Sequence, residues 1–120
     1  MMANDDITRV NAFFHNWKGA IVLFNKFTSS HNRFVIEMKQ PDSGEFIGVS
    51  FSFCNYIAGP TWWDNSELKC FSWQSPDGKS GYEVRDENAG FLIRGTDTVV
   101  IGDGDSYTVP QNQPLQNQSL

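Results

Sequence analysis

The sequence contains no long apolar run and no start typical of a secreted protein. No stretch approaches the roughly 18 to 20 apolar residues that a helix needs to cross a bilayer. The opening residues, Met-Met-Ala-Asn-Asp-Asp, lack the basic and apolar regions of a secretory signal peptide. We therefore expect a cytoplasmic protein with no membrane partner.

Basic residues are also scarce in this chain. Nine Lys and Arg stand against 14 Asp and Glu, which gives a net charge of −5 and a sequence pI near 4.8. A protein that binds duplex nucleic acid usually presents a basic face to the phosphates. The composition therefore argues against nucleic acid as the main partner.

Side chains that ligate metals or act as nucleophiles are few. The chain has two cysteines, two histidines and neither a Cys-x-x-Cys nor a His-x-His motif, whereas a tetrahedral zinc site needs three or four ligands. We expect exposed His15 and His31, and buried thiols at Cys54 and Cys70. The alternatives for the cysteines are a disulfide between them and a nucleophilic thiol. No pair of titratable groups has an interpretable catalytic spacing. The sequence therefore favours a non-enzymatic role without a cofactor or a metal.

Hydrophobic and aromatic residues, in contrast, are plentiful. They make up 39% of the chain and include 10 Phe, 4 Trp and 3 Tyr, which is enough to bury a core and excludes intrinsic disorder. The length of 120 residues is that of one domain, and we assign this β-rich domain to residues 1–109. Residues 110–120 hold six Gln or Asn and two Pro, a composition that predicts a disordered tail.

One amphipathic helix is predicted over about residues 5–17. Its apolar side chains fall within an arc of about 120° at 100° per residue, and they are Ile7, Val10, Phe13, Phe14 and Trp17. Asn4, Asp5 or Asp6 could cap the first turn, and Lys18-Gly19 suits the C-terminal end.

From Ala20 onward the pattern predicts about eight short strands joined by tight turns. Turns are predicted at residues 29–32, 41–44, 76–78, 88–90 and 103–104 because these segments are rich in Pro, Asp, Asn, Ser and Gly. The segment that follows 103–104 has the β-forming residues of a last strand, and no internal repeat is present.

Two strand pairings follow from the spacing. Closing the turn at 41–44 as a four-residue loop opposes Phe34 with Phe51, Ile36 with Val49 and Met38 with Ile47. A pairing with the next strand, in which the numbers of opposed residues sum to 124, places Phe51 opposite Trp73, Phe53 opposite Phe71 and Cys54 opposite Cys70. Together these pairs place five aromatic residues on one apolar face, which either fills the core or lines a ligand cavity; they are Phe34, Phe51, Phe53, Phe71 and Trp73.

The segment 58–66 is the longest connection in the β region and holds the candidate site. Consecutive side chains of an extended backbone point to opposite sides, so Trp62 and Trp63 should differ in exposure. The exposed indole could stack on a ligand ring or a partner's side chain, with Asp64 and Asn65 as polar anchors. We therefore predict a ligand-binding site at Trp62, Trp63, Asp64 and Asn65. The alternative is that one tryptophan plugs the end of a barrel and the other covers loop backbone.

A helix followed by short antiparallel strands predicts a mainly β fold, namely a meander that forms a small barrel or a strongly curved sheet. This outline resembles the lipocalin-type barrels, including their bilin-carrying branch. The Gly-x-Trp signature of lipocalins is absent, since the order here is Trp17-Lys18-Gly19, so the resemblance implies the barrel outline and no functional residues. A jelly roll of the cupin kind is the alternative, and its metal-binding histidine motif is also missing.

Two functions are consistent with these features. The first is a non-enzymatic barrel that binds a hydrophobic or aromatic small molecule near its mouth, which the aromatic face and the two adjacent tryptophans favour. The second is a protein-interaction or oligomerisation domain, for example a homodimer. Its contact surfaces would be the same tryptophan segment and the face of small residues opposite the aromatic one, namely Gly48, Ser50, Ser52, Cys54, Cys70 and Ser72.

Overall fold

The computed structural model describes residues 4–102, with side chains from Asp6 onward. Over this range the chain forms one α-helix, α1 (Asn4–Asn16), one short 3-10 helix (Ser30–Asn32) and nine strands. The strands are β1 (Ile21–Thr28), β2 (Arg33–Lys39), β3 (Phe46–Phe51), β4 (Cys54–Ala58), β5 (Trp62–Trp63), β6 (Lys69–Gln74), β7 (Ser80–Asp86), β8 (Phe91–Thr96) and β9 (Val99–Gly102). The prediction of a mainly β fold with a helix before the strands is confirmed.

The strands form two antiparallel sheets. Sheet A has the order β5-β1-β2-β3-β9, and sheet B has the order β4-β8-β7-β6. Each strand at the end of these two orders leaves one backbone edge without a strand neighbour among the described residues. Within residues 4–102 no strand pairing joins the two sheets into a closed barrel, so the described architecture is two sheets around a shared core.

The helix α1 closes one side of this core. Val10 and Phe14 are buried in the core, while Ile7, Phe13 and Trp17 pack against it, as the periodicity predicts. The side-chain amide of Asn11 accepts a 2.8 Å hydrogen bond from Cys70 N–H and donates one of 2.8 Å to Cys70 C=O. Because β6 is an edge of sheet B, these two bonds satisfy backbone groups that would otherwise stay open. The helix is too short and too polar to span a lipid bilayer.

The core lies between the two sheets. Its largest fully buried side chains come from alternate positions of strands on both sheets and from the helix; they are Phe14, Val22, Ile36, Met38, Val49, Phe51, Tyr82, Val84 and Ile93. Full burial of one such apolar side chain stabilises the fold by about 1.5 to 3 kcal/mol. The pairing predicted between β2 and β3 is confirmed, with Phe34 opposite Phe51, Ile36 opposite Val49 and Met38 opposite Ile47.

The second predicted pairing is wrong. β3 pairs with β9 on its other side, whereas β4 pairs with β8 and β6 pairs with β7. The reason is a corner at Phe53, whose positive φ of 49° directs the chain out of sheet A and into sheet B. Its N–H donates to His31 C=O at 2.8 Å and its C=O accepts from Thr96 N–H at 3.1 Å. The predicted pairing assumes one continuous sheet. It therefore places Phe53, Phe71 and Trp73 on the core face, whereas none of them belongs to the buried core.

This corner also separates the two cysteines. Cys54 lies on β4 and Cys70 on β6, with β8 and β7 between them. Three steps of about 4.8 Å place the two strands about 14 Å apart, which is well beyond the reach of a disulfide. The predicted cross-strand pair is therefore wrong, and the expectation of buried free thiols is confirmed. His15 and His31 are exposed, as expected.

Most of the predicted turns are present. The turns at 41–44, 76–78 and 88–90 each contain a glycine with positive φ, and the turn at 29–32 contains the 3-10 helix. The described residues form nine strands, whereas about eight were expected over the whole chain, because the corner at Phe53 divides one expected strand into β3 and β4 and because Trp62–Trp63 forms β5. The turn at 103–104, the strand after it, the end of the 1–109 domain and the tail at 110–120 lie outside the described residues.

Candidate functional site

The two adjacent tryptophans form the short strand β5 at one edge of sheet A. Trp63 lies opposite Val22 and Trp62 opposite Leu23 on β1, and Thr61 C=O accepts a 2.9 Å hydrogen bond from Phe24 N–H. Because neighbouring side chains of a strand point to opposite faces, one indole faces the core and the other faces outward. Trp62 is 57% exposed and Trp63 is 8% exposed, which confirms the predicted difference.

Trp63 is held in the core by a buried carboxylate. Its indole N–H donates a 2.8 Å hydrogen bond to Asp86 Oδ2, which also accepts one of 2.8 Å from Glu67 N–H. The indole ring packs against Phe91 with 4.8 Å between ring centroids. Asp86 is itself buried at the end of β7, so this contact joins the edge of sheet A to sheet B.

Three of the four residues predicted as ligand contacts are open to solvent. Trp62, Asp64 and Asn65 are exposed, and Asn65 has a positive φ of 51° that turns the chain after β5. Trp63 faces away from them into the core. The role of these residues in binding stays a prediction, and only three of the four side chains are accessible to a ligand.

A second exposed aromatic group, which the sequence analysis did not identify as a site, lies on β1 and β2. Phe24 and Phe27 stand opposite Ile36 and Phe34, on the face of sheet A that carries the core. The ring of Phe34 lies 5.7 Å from that of Phe24 and 4.7 Å from that of Phe27. Although they face the core side, Phe24 is 36% and Phe27 is 47% exposed.

A β-bulge accounts for the direction of these rings. The pairing of β1 with β2 shifts by one residue between Phe24 and Lys26, so that Asn25 is the extra residue. In a regular strand, side chains three positions apart point to opposite faces. The bulge brings Phe24 and Phe27 to the same face, and they form one cluster with Phe34.

The exposure of this cluster follows from the strand lengths. β5 pairs with β1 only at Val22 and Leu23, so residues 25–28 of β1 have no strand on that side among the described residues. β4 is an edge of sheet B, and the chain before and after it is bonded to the hairpin of β1 and β2. At the start of β4, Asn32 Nδ2 donates a 2.6 Å hydrogen bond to Cys54 C=O. After β4, Thr61 C=O accepts a hydrogen bond from Phe24 N–H.

We call residues 25–28 of β1, which have no strand neighbour on this side among the described residues, together with the cluster beside them, the open seam. The cluster consists of Phe24, Phe27 and Phe34, and Ile57 of β4 packs against the core. Trp62 lies on the opposite face of sheet A, because it pairs with Leu23 and not with a residue of the cluster. The structure therefore separates the predicted tryptophan site from the open seam.

Reactive and metal-binding groups are sparse in the described part of the chain. Over residues 4–102, no three His, Cys, Asp or Glu side chains come together to hold a metal ion. Burial raises the pKa of the Cys70 thiol to about 12 and also raises that of Cys54. The thiolate is the nucleophilic form of cysteine, so both side chains are poor nucleophiles at neutral pH.

The comparisons with known proteins identify no relative. No protein-family model matches the chain, and no curated protein or solved structure matches it. The function must therefore be argued from the geometry of the described residues.

Proposed function

We propose that this protein binds a hydrophobic or aromatic small molecule in the open seam, with the two sheets acting as a partly open barrel of lipocalin-like outline. One observation carries the proposal: Phe24 and Phe27 face the core side of sheet A and yet remain 36% and 47% exposed. A ring on the core side of a sheet is normally covered by the opposite sheet. Here the two rings remain partly exposed, and an apolar ligand would complete their packing.

The dimensions of the open seam indicate the size of the ligand. Residues 25–28 span about 13 Å at about 3.3 Å per residue, which fits a molecule of two or three fused rings or a short acyl chain. Aromatic rings bind other rings through offset or edge contacts in addition to area burial. The cluster already shows this arrangement, because its rings are tilted by 55° and 43° relative to Phe34.

A neutral fluorescent probe tests the proposal. N-phenyl-1-naphthylamine gains emission in an apolar site and carries no charge that could direct it to a basic surface. We expect saturable binding to the wild-type protein and a loss of affinity of at least about tenfold in Phe27→Ser, since the side chain contributes about 1.4 kcal/mol or more to the contact.

Phe46→Ser is the matched control for this experiment. Phe46 is 66% exposed but lies on the outer face of sheet A, opposite Lys39 and away from the open seam. Its substitution should leave probe binding unchanged. Equal binding by wild type and Phe27→Ser, or an equal loss in Phe46→Ser, would show that the open seam is not the site.

One observation favours the second candidate function, a protein-interaction or oligomerisation surface. Trp62 is 57% exposed on the outer face of sheet A, where a large aromatic side chain is typical of a protein interface. Sedimentation equilibrium of wild type and Trp62→Ala tests it for self-association. A dimer that dissociates in Trp62→Ala while probe binding in the open seam persists would assign the two surfaces to two separate functions.

A further inference from the structure

The outer face of sheet B carries a row of aromatic and charged side chains. The strand register aligns Tyr56 on β4, Arg94 on β8, Glu83 on β7 and Phe71 on β6, one beside the next across the sheet. Trp73 follows Phe71 two residues further along β6 and lies on the same face. None of these side chains belongs to the buried core.

Arg94 lies at the centre of this row. Its guanidinium carbon is 5.7 Å from the centre of the Tyr56 ring and 5.8 Å from that of Trp73, within the range of a cation–π contact. Its Nε–H donates a 3.2 Å hydrogen bond to Glu83 Oε1. Within the described residues, no group binds its two terminal nitrogens, and the side chain is 36% exposed.

Glu83 fixes the orientation of this guanidinium. Its carboxylate is only 13% exposed and also accepts a 2.6 Å hydrogen bond from Arg85 Nη1. Arg85 lies 4.0 Å above the Phe71 ring and binds Glu87 at 3.3 Å, so it has two carboxylate partners. Arg94 shares the carboxylate of Glu83 with Arg85. The N–H groups of its two terminal nitrogens make no hydrogen bond within the described part of the chain.

The local charge differs in sign from that of the whole chain. Lys69, Arg85 and Arg94 share this face with Glu83, and Glu87 binds Arg85 just after the end of β7, so three basic groups meet two carboxylates, whereas the chain as a whole carries −5. A planar guanidinium with free terminal nitrogens binds a carboxylate or a phosphate through two parallel hydrogen bonds. Tyr56 and Trp73 on its two sides offer flat surfaces for a ring.

We propose that the outer face of sheet B is a binding site for an oxyanion attached to an aromatic ring. The oxyanion, a carboxylate or a phosphate, binds the terminal nitrogens of Arg94, and the ring packs against Tyr56 or Trp73. The site is distinct from the open seam, because Tyr56 and Arg94 point away from the core whereas Phe24 and Phe27 point toward it. It goes beyond the proposed function and does not depend on it.

The test follows the arginine Nε–Hε signals of the ¹⁵N-labelled protein by NMR. Four compounds are titrated: benzoate, phenyl phosphate, acetate and benzamide. We expect the Arg94 signal to shift and saturate with benzoate or phenyl phosphate, and the tighter of the two identifies the preferred oxyanion. Acetate lacks the ring and benzamide lacks the charge, so each should bind at least about tenfold more weakly.

Arg94→Lys keeps the charge and removes the fork of parallel donors. Its binding is followed by the indole N–H signal of Trp73, which is recorded for the wild type as well, and we expect it to be at least about tenfold weaker. Arg9→Lys is the matched control, because Arg9 is an exposed arginine that pairs with Asp6 on α1. An Arg94 signal that does not move in the wild type, or that moves equally with acetate or benzamide, overturns the proposal. Binding that survives in Arg94→Lys does the same. Unchanged binding of N-phenyl-1-naphthylamine by Arg94→Lys would show that the open seam is intact in that variant.

Discussion

The indole N–H of Trp63 donates a 2.8 Å hydrogen bond to the carboxylate of Asp86, and both side chains are buried. The two residues lie 23 positions apart in sequence and on different sheets. This bond fixes β5 at the edge of sheet A and therefore sets the point at which β1 loses its neighbour. The open seam begins there, so the contact is structural for the core and also defines the candidate site.

We expect Asp86→Ala to lower the free energy of unfolding by about 3 kcal/mol or more. The substitution removes the acceptor for both Trp63 and the Glu67 N–H, and each buried donor left without a partner costs about 1 to 3 kcal/mol. Denaturant titration measures the difference. Asp64→Ala is the control, because Asp64 is exposed and its substitution should change stability by no more than about 0.5 kcal/mol. An equal effect of both changes would contradict the structural role of Asp86.

The two tryptophans of β5 should respond oppositely to substitution. We expect Trp62→Ala to cost less than about 1 kcal/mol and Trp63→Ala to cost about 3 to 5 kcal/mol, because only Trp63 leaves a cavity. Acrylamide quenching gives an independent measurement. Trp62→Phe should remove the most easily quenched part of the emission, whereas Trp63→Phe should remove a protected part. A protected Trp62 would show that the outer face of sheet A is covered in solution.

Local patterns in the sequence predicted the elements that depend on neighbouring residues. The helix was predicted over about residues 5–17 and spans Asn4–Asn16, because apolar residues recur at helical spacing. The pairing of β2 with β3 was correct because one tight turn fixes its register. The different exposure of Trp62 and Trp63 follows from the alternation of side chains along any strand.

The remaining features depend on contacts that are distant in sequence. The corner at Phe53 uses a residue type that rarely has positive φ, and only its bonds to His31 and Thr96 reveal it. The open seam depends on the length of β5 and on the bulge at Asn25. The sequence does place Phe24 and Phe27 three positions apart in the predicted strand. Two phenylalanines at this spacing can form one apolar cluster only if a β-bulge lies between them.

The corner at Phe53 gives a prediction about backbone conformation. We expect Phe53→Gly to be more stable than Phe53→Ala by about 0.5 to 1 kcal/mol, which is the reverse of the usual order. The positive φ costs alanine about 1 to 2 kcal/mol, and the greater freedom of glycine in the unfolded chain offsets about 0.4 to 1 kcal/mol of this. Denaturant titration of the two variants decides the order. Greater stability of Phe53→Ala would mean that the chain does not turn at this residue.

The burial of Cys70 predicts how stability changes with pH. Burial raises the pKa of its thiol from 9.0 to about 12 in the folded protein, whereas the unfolded chain ionises near the lower value. As pH rises above about 9, the unfolded state loses the proton and the folded state keeps it. The unfolded state is then favoured, and the loss of stability continues until the pH reaches the folded pKa.

We therefore expect the free energy of unfolding to fall by about 1 kcal/mol from this thiol between about pH 8 and about pH 10. Cys70→Ala removes the ionisable group at the same buried position, so its stability should depend less on pH over this range even if it is lower throughout. Lys69→Ala is the control, because Lys69 is its exposed neighbour and its loss should leave the slope that Cys70 causes in place. Denaturant titration of all three proteins at the two pH values gives the slopes. The same pH dependence in wild type and Cys70→Ala would mean that Cys70 ionises as freely in the folded protein as in the unfolded chain, and that β6 does not bury it against the core.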